Sequence, residues 1–200
     1  MPDEVTPPLD RPRIGYMLWR AEGARKRGDL NAAMSFVETA LEMRPGHPGA
    51  LGCLRACRED ALAAARRRVE EDSASADARI ELAALLADAE EFDDAKARLE
   101  EARVALDALG RAEETQEPEF ARLAGRIAYG LGQIDEALEL MRRGTEPGIT
   151  MAEVHYCLGL CHLARGERHL CAAQFERLVA KLWWAVPLRY REFRQWRSEA

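Results

Sequence analysis

Aromatic residues make up only 6% of this 200-residue chain, and the aromatic and β-branched residues that favour strands are together scarce except near its C-terminal end. With strand formers in such short supply, a sheet-based fold is excluded. No apolar run is long enough to cross a membrane, and the opening "MPDEVTPPLDRPR" lacks the apolar core of a signal peptide. The chain therefore reads as cytoplasmic, with its five cysteines as free thiols. There is no excess of positive charge either: the formal net charge is -6, which gives no support for the basic stripe of a nucleic-acid binder. Catalytic signatures are missing too. No G-x-S-x-G, P-loop, H-E-x-x-H or dinucleotide-type glycine motif occurs, and the carboxylates are spread over solvated helix faces. Neither an enzyme nor a bound cofactor is expected.

Ala, Leu, Glu and Arg dominate instead. These are strong helix formers, and 48% hydrophobic with 32% charged residues is the balance of a folded chain. An all-α fold follows. Four prolines among the first twelve residues predict a flexible lead-in over residues 1–13. The last twenty residues carry Lys181, Arg189, Arg191, Arg194 and Arg197 against Glu192 and Glu199, so that tail stands at +3 and the rest of the chain at -9.

The chain repeats itself. Four windows of 34 residues, 14–47, 76–109, 118–151 and 152–185, share a pattern of side-chain size. Their eighth residues are Ala21, Ala83, Gly125 and Gly159; their twentieth are Ala33, Ala95, Ala137 and Cys171. Helices approach closely only where side chains are short, so the recurrent small pair predicts a helix-helix crossing in each window. Val37, Leu99, Met141 and Phe175 recur as the apolar filler, and Gly28-Asp29, Glu90-Glu91, Gly132-Gln133 and Gly166-Glu167 supply the turn. Residues 110–117 are a polar insertion. Residues 48–75 are too short for a full window and are expected to form a degenerate unit with a truncated or fused first helix.

In length, small-small pairing and Ala-rich second helix, these windows resemble the tetratricopeptide repeat (TPR) family, most fully in "YCLGLCH". The resemblance implies a TPR-like α-solenoid of stacked antiparallel helical hairpins over residues 14–185. It also implies a protein-protein adaptor whose first helices line a groove for a partner peptide or helix. An array needs its open end covered. Tyr190, Phe193 and Trp196, at spacings of three, suit residues 186–200 to a C-terminal capping helix.

On that resemblance the groove positions are Leu18, Trp19, Glu22, Arg25 and Lys26 in the first window and Ile80, Glu81, Ala84 and Asp88 in the second. Arg122, Arg126 and Tyr129 belong to the third, with Tyr156, Leu160 and Ala164 in the fourth. The partner-binding candidates are Trp19, Arg25, Lys26, Arg122, Arg126, Tyr129, Tyr156 and Leu160. Arg122 and Arg126 lie four apart on one face, where both could grip a carboxylate of an acidic segment. Leu18 and Glu22 stand where a chaperone-clamp subclass would hold Lys and Asn, which disfavours that subclass.

Two alternatives remain beside the adaptor. Cys157, Cys161 and His162 form a C-x-x-x-C-H cluster that suggests a metal-binding or thiol redox module. The repeat register explains His155, His162 and Cys171 by packing, and His155 and His162 are about 10 Å apart along one helix, awkward for a shared ion. No metal is therefore expected. The Trp/Arg-rich C-terminus suggests a peripheral membrane adaptor instead.

Overall fold

A computed structural model of the chain describes residues 10–145 and 152–182. The proposed capping helix over 186–200 and the first nine residues lie outside the described residues. Among the described residues there are nine α-helices: α1 (Asp10–Lys26), α2 (Leu30–Met43), α3 (Pro48–Glu71), α4 (Ala76–Asp88), α5 (Phe92–Ala108), α6 (Pro118–Gly130), α7 (Ile134–Arg143), α8 (Ala152–Ala164) and α9 (Arg168–Leu182). They pack as sequential hairpins: α1 with α2, α4 with α5, α6 with α7, and α8 with α9. Contacts divide the chain into two units, Met1–Ala64 and Ala65–Ala200.

The hairpin turns are alike because one hydrogen-bond pattern makes them. At the end of each first helix a residue in the left-handed region reverses the chain: Gly28 (φ 78°), Glu90 (φ 64°), Gly132 (φ 74°) and Gly166 (φ 74°). The amide of the next residue reaches back to a carbonyl five residues earlier: Asp29 to Ala24, Glu91 to Leu86, Gln133 to Ala128, and Glu167 to His162. Helix-end carbonyls are satisfied in this way just as the second helix begins. Glu90 takes a conformation that costs a side-chain-bearing residue about 1–2 kcal/mol.

In the first unit, α2 is capped by Asp29, whose side chain accepts the Ala32 amide, and buries Ala33, Val37, Ala40 and Leu41. That stripe meets Ile14 and Ala21 of α1, and Ala50 of α3 completes the cluster. α1 begins at Asp10, inside the stretch expected to be a flexible lead-in. Pro12 does not prevent this, since the amide it lacks falls in the first turn, where no intrahelical acceptor exists. Pro48–Glu71, within the stretch read as a degenerate unit, is one continuous helix.

In the second unit, Ser75 caps α4 and Pro118 opens α6 at a position where proline costs nothing. The insertion becomes a turn at Gly110 (φ 70°) and a short 3-10 helix, Ala112–Gln116, held by Arg111 pairing with Glu114. Ala128, Ala137, Leu138, Met141, Val154, Cys157, Leu158 and Cys161 form the cluster that joins α6 and α7 to α8. No helix among the described residues is long and apolar enough to cross a membrane.

Candidate protein-binding surfaces

Each first helix leans on its second through its small mid-helix residue. A Cβ placed on Gly125 would stand 3.0 Å from Met141 Cγ, and one on Gly159 would stand 2.9 Å from Phe175 Cζ. Ala21, Ala83, Ala33, Ala95, Ala137 and Cys171 are completely buried. With one side of each first helix sealed against its partner, functional side chains must come from the remaining faces. In the second unit these faces adjoin, because α6 packs beside both α4 and α8.

Arg122 and Arg126 are fastened to the protein's own acceptors. Arg122 donates from Nη1 to the Gly144 carbonyl at 3.1 Å and from Nη2 to Glu119 at 2.9 Å, with its side chain only 11% exposed. Gly144 is tight beneath it: a Cβ there would lie 2.6 Å from Arg122 Cγ. Arg126 donates from Nη2 to the Ala84 carbonyl at 2.9 Å, and its Nη1 lies 2.9 Å from Asp88. Each guanidinium thus sits at the carbonyl end of a helix, α7 or α4, where a cation is favoured. The Arg122 hydrogen bond holds the Glu119 carboxyl below its usual range. Tyr129 and Tyr156 are half-buried and pack on the α6–α8 cluster, and Tyr156 meets the Phe175 ring at 6.2 Å. Leu160 is half-buried on α8.

In the first unit, Arg25 bonds Glu22 at 3.1 Å and Asp60 of α3 at 2.8 Å, while Lys26 lies 3.5 Å from Glu22. Trp19 stands apart from these pairs. It is 70% exposed and meets Tyr16 at a ring-centroid distance of 6.0 Å. Tyr16 and its neighbour Arg20 were not among the sequence candidates, although their spacing of four places them together on a helix.

The cysteine-histidine cluster is built into the α8–α9 hairpin. Cys157, Cys161 and Cys171 are buried, and burial pushes the Cys161 thiol up to about 11 and the Cys171 thiol up as well. His155 Nδ1 lies 2.7 Å from Gln174 Oε1, and His162 Nδ1 lies 2.6 Å from Glu167 Oε2. The first ring therefore ties α8 to α9, and the second ties α8 to the turn between them. Raised pKa values favour the thiol over the thiolate, the opposite of what metal binding or redox exchange needs.

No protein-family model matches the sequence, and no curated protein does. Solved structures do match its fold. TTC0263, a thermophilic TPR protein of Thermus thermophilus, matches with a TM-score of 0.51 at 20% identity, covering 89% of this chain and 96% of that one. MamA 41-end from Desulfovibrio magneticus RS-1 matches with a TM-score of 0.51 at 14% identity, covering 84% and 94%. The chain has the tetratricopeptide-repeat fold.

Proposed function

We propose that this protein is a non-enzymatic adaptor that holds a segment of another protein against the adjoining first helices of its second unit. The observation that carries this reading is the packing of α6 beside both α4 and α8, which sets three first helices in a row. Tyr129, Tyr156 and Leu160 supply half-buried apolar and aromatic area there, the kind of surface from which binding hot spots are built. Arg122 and Arg126 contribute by holding α6 in place. A partner carboxylate would reach Arg126 only by sharing it with Asp88.

A photo-crosslinking residue at Leu160, compared with one at the exposed Glu139 of α7, tests the reading. Discrete adducts with another protein from position 160 and none from 139 are expected. Adducts from 139 alone would contradict it. Thiol redox function has the weaker support, since the Cys161 thiol is buried and pushed up to about 11. Complete resistance of Cys161 to alkylation at neutral pH in the folded protein is the expected result.

A further inference from the structure

On the face of α1 that turns away from α3 stand two arginines, and a third follows at its end. Arg13 and Arg20 lie on α1 and Arg27 is the residue that follows its end, so the three recur every seven positions; between the first two this drifts only about 20° around the helix and spaces them about 10.5 Å apart along it. No carboxylate among the described residues pairs with any of the three. This is unlike most described arginines of the second unit, for example Arg98, Arg103, Arg111 and Arg165, which are ion-paired.

Arg20 is nevertheless held in place. Its guanidinium carbon lies 4.8 Å from the Phe36 ring centroid and 5.7 Å from that of Tyr16, and Nη1 donates to Tyr16 Oη at 2.8 Å. Arg27 folds back over Gly23, where a Cβ would meet its Nη1 at 3.5 Å. Tyr16, 49% exposed, and Trp19, 70% exposed, lie beside the row as an aromatic strip. Asp29, two residues past Arg27, accepts the Ala32 amide with its side chain. Glu22 is engaged with Arg25 and Lys26, and helical spacing carries Glu38 and Glu42 of α2 more than about 100° round from Phe36.

We propose that this face binds an extended acidic, proline-containing segment of a partner protein, with carboxylates at every third position. The spacing argues for that occupant. A polyproline II helix has three residues per turn and rises about 3.1 Å per residue, so every third side chain lies on one face, about 9.3 Å from the next. Arginine side chains readily absorb the remaining difference from their own row. Carboxylates would pair with Arg13, Arg20 and Arg27 in register, and the intervening prolines would lie on Tyr16 and Trp19, as proline-rich segments do on aromatic grooves. Because Arg20 is stacked before the partner arrives, little side-chain entropy is lost on pairing. The site lies on a different unit from the first-helix row proposed above, and stands or falls independently of it.

The probe is a fluorescently labelled (Glu-Pro-Pro)4 peptide, titrated against the full chain by fluorescence polarisation at low salt. The comparators are a same-composition peptide with its four glutamates contiguous, the (Lys-Pro-Pro)4 peptide, and a thymidine 12-mer. Binding of (Glu-Pro-Pro)4 at least about tenfold tighter than any comparator is expected, with R20E and W19A each weakening it by about tenfold or more. W19A removes a largely exposed ring, so the folded state is kept, and unchanged circular dichroism confirms this. Equal binding of the contiguous-glutamate peptide or of the oligonucleotide would overturn the proposal, leaving only a general anionic attraction. Full affinity in both variants would overturn it too. A dimer that W19A dissolves, with no peptide bound, would assign the face to a second copy instead.

Discussion

Two arginine-aromatic clusters, one on α1 and one on α6, have similar composition and opposite circumstances. On α6, Arg122 and Arg126 reach the Gly144 and Ala84 carbonyls and have Glu119 and Asp88 beside them. On α1, Arg20 touches two rings and a tyrosine hydroxyl, and no carboxylate among the described residues meets it. The first cluster has its charge neutralised within the fold, and in the second Arg20 is held by aromatic rings instead. What separates them is the neighbouring chain: α6 is flanked by helix ends that offer carbonyls, while Arg20 on α1 lies against the rings of Tyr16 and Phe36.

The sharpest break in the comparison comes at glycines. Gly159→Leu drives a side chain into the Phe175 ring and should destabilise the second unit by about 3 kcal/mol or more, read from urea unfolding. On α1, Gly23 has only the tip of Arg27 near it. Gly23→Ala should therefore stabilise the helix by about 0.5–1 kcal/mol. A loss of stability in Gly23→Ala would show that this face is more crowded than its exposure suggests.

The repeat positions were legible because one geometric need recurs. Ala21, Ala83, Gly125 and Gly159, picked out by size alone, all lie buried against their second helices. Contacts made once were not legible. Gly130 lies under the Phe92 ring of α5, a neighbour 38 positions earlier for which no other hairpin provides a template. The partners of Arg126 include a backbone carbonyl, which no side-chain pattern announces. Trp19 was visible as a candidate, but the stacking of Arg20 on Phe36 depends on how α2 folds back. The continuous helix Pro48–Glu71 could not be separated from a truncated one, since neither alternative needs a turn residue.

The hairpin turns allow a finer comparison. Three reverse at glycine and one at Glu90, so Glu90→Gly should add about 1 kcal/mol of stability, while the same exchange at neighbouring Glu91, the residue preceding α5, should not. Thermal melts of the two variants distinguish them. Equal shifts would mean that the left-handed geometry of Glu90 carries no strain.

The smallest expected effect is on pH dependence. Glu22, Glu119 and Glu167 are all held below the usual carboxylate range, chiefly by hydrogen bonds from Arg25, Arg122 and His162 respectively. A depressed folded-state pKa contributes stability that is fully present above the unfolded value of about 4.3 and is lost as the pH falls through the folded one. Melting temperature should therefore be flat from neutrality to about pH 5 and then decline. Glu119→Gln should blunt that decline in the second unit. An unchanged acid limb would show that the Arg122 pair does not report on folding.

The contrast between neutralised and available arginines is tested most directly by native-state hydrogen exchange of two variants side by side. Arg126→Ala strips the Ala84 carbonyl and Asp88 of their shared donor, and should lower the opening free energy of α4 and α6 amides by about 1–3 kcal/mol. Arg20→Ala gives up its contacts with the Tyr16 and Phe36 rings and an exposed hydrogen bond to Tyr16 Oη, and should lower that of α1 and α2 by about 1 kcal/mol or less. Equal losses, or a larger loss from Arg20→Ala, would contradict the account.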